Sequence, residues 1–225
     1  MSDDVHEYDS RLELRLLRAE DYPAVAQLQH DCFPGVLPWS QAVFEEQLRR
    51  FPEGQVGITF DGQLAVTSSA LLVTGSDWDD QHTLEEVSSG GTIRNHEPDG
   101  DTLYGIDLAV AREHRGKRLA RRIYEYRRAL MQRMNVRRMF IAGRIPGLQR
   151  HPDLTPEVYV QQVLAKEFAD PTMTVQLAMG FYVLRVLNGY MPNDVESRGA
   201  AVLMEWINPA WMPHSPSANC TVMVG

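Results

Sequence analysis

The densest chemistry in the 225-residue chain lies between Ile106 and Arg122. An apolar run ends at Val110, a turn follows, and Arg115, Lys117, Arg118, Arg121 and Arg122 crowd the point where a helix should begin. The first turn of a helix carries N–H groups without partners and a partial positive charge. A pyrophosphate or similar anion fits there without further machinery. Cations at that end are otherwise unfavourable, by a few tenths to ~1 kcal/mol each, so their crowding asks for a bound anion. Gly116, inside the turn, lets backbone approach a ligand closely.

Charge sharpens the same segment. The chain has 22 basic and 30 acidic residues, a net charge of −8. Arg112–Arg144 holds 12 of the basic residues and two acids, Glu113 and Glu125, or +10; the rest keeps 10 basic and 28 acidic residues, or −18. A basic segment on an acidic protein points to a local anionic partner. A solvated helix face is one alternative. Another is pairing with the stretch Asp77–Asp101, where Asp77, Asp79, Asp80, Glu85, Glu86, Glu97, Asp99 and Asp101 stand against one base, Arg94. The −18 elsewhere disfavours nucleic acid, and none is expected as a partner.

The elements around this segment read as an α/β domain. Leu12–Leu16 alternates as a strand, and helices follow over Asp21–His30 and after the N-cap Ser40. Val56–Phe60, the turn pair Asp61-Gly62 and Leu64–Val73 read as a hairpin. Thr74–Asp101 reads as a long loop with one helical turn, functional or disordered. Leu103–Val110 is a strand, and Leu119, Ile123, Tyr126, Leu130 and Met134 mark the apolar stripe of a long helix. Met139–Ala142, Phe181–Val186 and Ala200–Trp206 are further strands; Thr155-Pro156 and Asp170-Pro171 start helices. Residues 1–10 form a flexible acidic tail, 11–207 one domain, and 208–225 an irregular tail with Pro209, Pro213 and Pro216.

Composition removes several classes. No stretch is long and apolar enough to cross a membrane, and the acidic start is not a secretory signal. Cys32 and Cys220 are too few for a disulfide framework or a cysteine metal site, so a cytoplasmic protein is expected. The seven histidines lack metal spacing. Asp77-x-Asp79-Asp80-x-His82 lacks the glycine and terminal Glu of a calcium loop, and no metal is expected. Trp78 beside those acids suits a cationic substrate or a solvated flap.

Ile106-Asp107-Leu108-Ala109-Val110 followed by Arg115-Gly116-Lys117-Arg118-Leu119-Ala120 resembles the acyl-CoA motif of the GNAT acetyltransferase superfamily, Arg/Gln-x-x-Gly-x-Gly/Ala after the fourth strand. Arg115 fills the first position and Ala120 the last, with Arg118 in place of the middle glycine. The order of elements is similar over roughly residues 12–207. Ala142-Gly143-Arg144-Ile145-Pro146-Gly147 and Glu205-Trp206-Ile207-Asn208-Pro209 resemble the subgroup sometimes fused to nitrilase-type carbon–nitrogen hydrolases. The chain stops before such a domain, so no hydrolase activity is expected.

The resemblance implies a mostly antiparallel sheet splayed between its fourth and fifth strands and flanked by helices. It implies acetyl-CoA or another acyl-CoA as co-substrate. Leu108, Ala109 and Val110 would bind the pantetheine arm. Arg115, Gly116, Lys117, Arg118, Leu119 and Ala120 would hold the pyrophosphate, with Arg121 or Arg122 on the outer phosphates. An amine would attack the thioester directly in a ternary complex, and a backbone N–H near Val110 would hold the oxyanion. An alkyl amine, of pKa ~10.4, must first lose a proton. Asp107 is the candidate base or ammonium binder, with loop capping as its alternative role. Gly180-Phe181 matches the family's last motif, but its tyrosine position is Gln176. Tyr159, Tyr182, Tyr190 or water would then protonate the thiolate. The acceptor is a small or peptidyl amine, its pocket built by residues 30–45, 75–101 and 143–155. Exposed strand edges and the Pro-rich tail could make a homodimer. The missing tyrosine also suits a second role, a CoA-binding sensor or partner module for a carbon–nitrogen hydrolase.

Overall fold

The computed structural model describes residues 7–213. Its strands are β1 (Leu12–Leu16), β2 (Val56–Phe60), β3 (Gln63–Val73), β4 (Thr102–Val110), β5 (Arg138–Arg144), β6 (Tyr182–Leu187) and β7 (Ala201–Ile207). They form one seven-stranded sheet in the order β1-β2-β3-β4-β5-β7-β6. All neighbours are antiparallel except β4 and β5. The helices are α1 (Tyr22–Cys32), α2 (Gln41–Arg50), α3 (Leu84–Ser88), α4 (Leu119–Met134), α5 (Pro156–Leu164) and α6 (Met173–Ala178). This is the expected mixed α/β architecture, with helices against the sheet.

Local chemistry sets these elements. Asp61 and Gly62 both have positive φ, 49° and 79°, the turn that matches strand twist in a two-residue hairpin. The Ser40 and Thr155 hydroxyls accept from Val43 N and Val158 N and start α2 and α5. Asp170 Oδ1 accepts from Thr172 N and Met173 N and starts α6.

The sheet opens at its centre. β4 and β5 pair from Thr102↔Arg138 to Gly105↔Ile141 and no further. At the same point the β3–β4 register slips between Ser69 and Ala70, leaving Ile106 as the extra residue of a bulge. Arg127, buried on α4, staples that bulge. Its Nη2 donates to the carbonyls of Ser69 and Asp107 at 2.9 Å each and to Ser68 Oγ at 2.8 Å. Gly105 makes room for it, since a Cβ there would lie 2.3 Å from Arg127 Nη1. Gly105→Ala is therefore expected to destabilise the fold by about 1–3 kcal/mol through overpacking, read as a lower urea midpoint at unchanged slope.

Alternation along β4 assigns its two faces. Ala109 packs with Leu28 and Cys32 of α1. Leu108 and Val110 pack with Leu119 and Ile123 of α4.

Several expectations need correction. Residues 7–10, expected frayed, form a helical turn. Tyr8 stacks on Phe60 at 4.8 Å and its hydroxyl meets His114 Nδ1 at 2.8 Å. The remainder of that tail, residues 1–6, lies outside the described residues, as do 214–225 with Cys220. Residues 208–213 have no regular structure but are tied down, Asn208 Nδ2 donating to Val136 O at 2.8 Å and Met212 N to Asn135 Oδ1 at 2.9 Å. The 74–101 stretch is packed into the domain through the fully buried Val87 and Ile93. Trp78 meets His82 edge-on at 5.4 Å, which sets aside the solvated flap, one of the two roles the sequence left open for it. Met134, placed on the apolar stripe of α4, is exposed, and Tyr124 and Arg127 are buried instead. No helix among the described residues is long and apolar enough to cross a membrane.

Candidate functional site

Where β4 and β5 part, a cleft of about 910 Å³ runs through the sheet from the α1 face to the α4 face. Its walls combine β4 from Gly105 to Val110, the turn after it, the start of α4, the end of β5, α6, and the segments 29–39 and 190–196.

One wall is backbone. Ala111 N donates to Ala65 O at 2.9 Å, so Ala111, Ala109 and Asp107 turn their peptide groups toward β3. Leu108 and Val110 turn theirs toward the gap left by β5. An extended polar chain laid in that gap meets the outward Val110 N–H and Leu108 carbonyl of this strand edge. The Val110 carbonyl is already engaged, accepting from Arg115 Nε at 3.1 Å and Cys32 Sγ at 3.3 Å.

The second wall is the start of α4. Gly116 has φ +76°, with open space where a Cβ would stand. Arg118 is the N-cap residue in the left-handed region at φ 61°, and no side chain caps the helix. The first N–H satisfied within this turn is that of Arg122, on Arg118 O at 3.4 Å. Arg115, Gly116, Arg118, Leu119, Ala120 and Arg121 all line the cleft.

Lys117 and Arg122 do not. Lys117 Nζ sits over the Tyr8 ring at 4.4 Å, and Arg122 bonds Asp9 at 2.6 Å on the outer face. Pairing of this helix with the 77–101 acids is not what the structure holds. Asp80 pairs with Arg185, Asp101 with Arg138, and Arg121 with Glu125 of its own helix.

Asp107 faces the α1 side of the cleft. Its Oδ2 accepts from Gln29 Nε2 at 3.4 Å and caps no loop. Burial pushes its carboxyl up to about 6, against the smaller opposing pull of the Gln29 amide and Arg127. A carboxyl held there is mostly in the base form at neutral pH and is a stronger base than an ordinary carboxylate, which suits a general base. Phe33, Leu37, Trp39, Leu84, Tyr190 and Met191 also line the cleft. The 190–196 segment was not among the loops expected to shape the pocket. It is placed by Arg144, which binds Asp194 at 2.5 Å and Glu196 at 2.8 Å. Burial alone would raise the Asp194 carboxyl, but Arg144 and Ser197 outweigh it and hold it below its ordinary range.

The tyrosines sort differently from expectation. Tyr159 donates to Asp170 at 3.0 Å and Tyr182 to Glu205 at 2.6 Å; neither lines the cleft. Tyr190 lines it, packed edge-on against His82. Tyr124, on α4, also lines it and was not foreseen, although it follows Arg118 and Arg121 at helical steps of three. Among the described residues no three His, Cys, Asp or Glu side chains group as metal ligands.

Comparison with known proteins agrees with this architecture. The description "Acetyltransferase (GNAT) family" matches residues 22–150. The "Probable hydrolase YhcX" of Bacillus subtilis (strain 168) is 35% identical over 211 residues, covering 93% of this chain but only 41% of YhcX. The "Uncharacterized N-acetyltransferase YkwB" of the same organism is 31% identical over 206 residues, covering 88% of this chain and 89% of YkwB. The solved structure of "GphF GNAT-like decarboxylase in complex with isobutyryl-CoA" superposes with a TM-score of 0.74 at 23% identity, over 87% of this chain and 98% of that one. The opened sheet, the uncapped helix behind its fourth strand and these matches together make the chain a member of the GNAT acetyltransferase family.

Proposed function

We propose that the protein transfers an acyl group from an acyl-CoA, acetyl-CoA first among them, to an amine by direct attack within a ternary complex. The observation that carries this reading is the convergence on one cleft of an uncapped helix start, the outward peptide groups of Leu108 and Val110, and Asp107. The N–H groups of Leu119 and Ala120, with Arg115, Arg118 and Arg121, take the pyrophosphate. The pantetheine arm lies along Leu108–Val110 as a mock strand. That arm brings the thioester to the bulge, where an outward N–H holds the oxyanion. Asp107 takes the proton of the incoming ammonium. GphF, by its description, holds isobutyryl-CoA, which supports an acyl-CoA in the similar cleft here.

The test is release of free CoA from acetyl-CoA and isobutyryl-CoA against a panel of alkyl amines, amino acids and peptides. Turnover with at least one amine, saturable in the thioester, is the expected result. The likeness to YhcX supports the second reading, a CoA-binding module serving a hydrolase. Tight CoA binding with no release for any amine selects it.

A further inference from the structure

The departing sulfur of the thioester needs a proton, or must leave as an anion into a largely apolar slot. Candidate donors on the α4 side of the cleft are few. Arg127 is committed to the bulge carbonyls. Gln176, on α6, stands at the family's tyrosine position and carries no acidic proton. Tyr124 lies across from it, with its hydroxyl accepting from Gln176 Nε2 at 3.3 Å. That bond uses an oxygen lone pair and leaves the phenolic proton free.

We propose that Tyr124 is the general acid of the transfer, supplied from the long helix, and that Gln176 positions it. The assignment rests on the acyl-transfer reading above. When the C–N bond forms and the tetrahedral adduct collapses, the C–S bond breaks and the sulfur takes the Tyr124 hydroxyl proton. The tyrosinate left behind is reprotonated from solvent. The ammonium nitrogen sheds two protons on its way to the amide: the first goes to Asp107 before attack and on to solvent, and the second leaves as the C–N bond forms, to the carboxylate so regenerated. Acid and base thus stand on opposite faces of the sheet, on either side of the gap the thioester must cross.

Three further observations agree. Burial holds the Tyr124 phenol above its ordinary value, so it stays protonated until the sulfur calls for the proton. The Arg127 guanidinium carbon lies 5.8 Å from the ring centroid and offsets the charge of a transient tyrosinate. Gln176 Oε1 is buried without a partner, and a Cβ on Gly143 of β5 would lie 2.2 Å from it. Gln176 therefore lies across the β5 side of the gap with one acceptor unused, ready for an N–H donor of a bound ligand.

The experiment compares Tyr124→Phe with wild type on two donors, acetyl-CoA and its selenoester analogue, whose selenolate leaves without a proton. The ring and its edge-on contact with Phe181 at 5.2 Å survive the change, and thermal melting verifies the fold. With acetyl-CoA, kcat is expected to fall about 10²-fold at unchanged KM, and with the selenoester the variant should match wild type. Gln176→Leu, which frees the phenol to rotate, should show the same donor dependence at smaller size. An equal fall with both donors makes Tyr124 structural, and no fall removes it from the reaction; either overturns the proposal. A wild type that releases no CoA with any amine overturns the transfer reading itself, and this assignment with it.

Discussion

Asp107→Asn is expected to lower kcat for acyl transfer by about 10²–10⁴-fold, the usual worth of a placed general base, with little change in KM for acetyl-CoA. The amide keeps the volume of the carboxyl and can still accept from Gln29 Nε2, so the cleft keeps its shape. In the wild type the base form is needed, so activity should rise with pH through about 6, where burial has brought the Asp107 carboxyl. The same shift predicts a stability effect of opposite sense. A folded-state value raised from 3.8 to about 6 means the fold favours the protonated acid. Folding is unburdened below the lower value, loses stability as pH rises between the two, and carries the full penalty above the upper one. At about 1.4 kcal/mol per unit that penalty approaches roughly 3 kcal/mol. Asp107→Asn should therefore melt higher than wild type at pH 8 and equally at pH 3. Loss of activity without that pH-dependent gain would mean that the carboxyl is not desolvated as described.

Arg118→Gly should separate ligand affinity from stability in the same way. Arg118 has φ 61°, a conformation costing about 1–2 kcal/mol for a residue with a Cβ. Glycine removes that strain and restores the family's motif, so the variant should melt higher. It also loses the guanidinium facing the phosphate wall, and a hydrogen bond to a charged group is worth roughly 1.5–3 kcal/mol. KM for acetyl-CoA should rise about 10- to 100-fold, with kcat nearly unchanged and a weaker dependence of KM on salt. Lys117→Ala and Arg122→Ala are the controls. Their charges are spent on Tyr8 and Asp9, outside the cleft, and KM should hardly move. A variant at 118 that binds CoA normally would displace the anion from this helix start.

These contrasts mark what could be read from the chain alone. The strand–turn–helix unit was legible because its chemistry is contiguous: the β4 run, Gly116 and the basic cluster lie within 17 residues, from Ile106 to Arg122. Which of the basic residues face the cleft was less legible. That depends on the exact start of α4, one residue shift turning each side chain by about 100°, and on a turn at residues 7–10 that takes Lys117 and Arg122 as partners. Tyr124 was missed because the apolar stripe drew attention to Tyr126, which instead donates to Glu53 O at 3.0 Å on the far side. The cleft wall at 190–196 was invisible for another reason. Arg144 fixes it through Asp194 and Glu196, some 50 residues away in sequence, and no local pattern encodes such a pairing.

The slot between β4 and β5 passes through the whole thickness of the sheet, and this gives the enzyme two doorways. One is framed by regular structure, the strand edge and the long helix, whose atoms are fixed by ladder and turn. The other is framed mainly by chain between elements, at 33–39 and 190–196, where exposed positions such as Leu37 and Val195 tolerate substitution. On the proposed acyl-transfer reading the first doorway takes the acyl-CoA and the second the amine, so a lineage built on this plan exchanges the molecule it modifies while the grip on the donor is left alone. Diversification of the recipient is then a matter of editing two rims, and the reaction centre goes along unchanged.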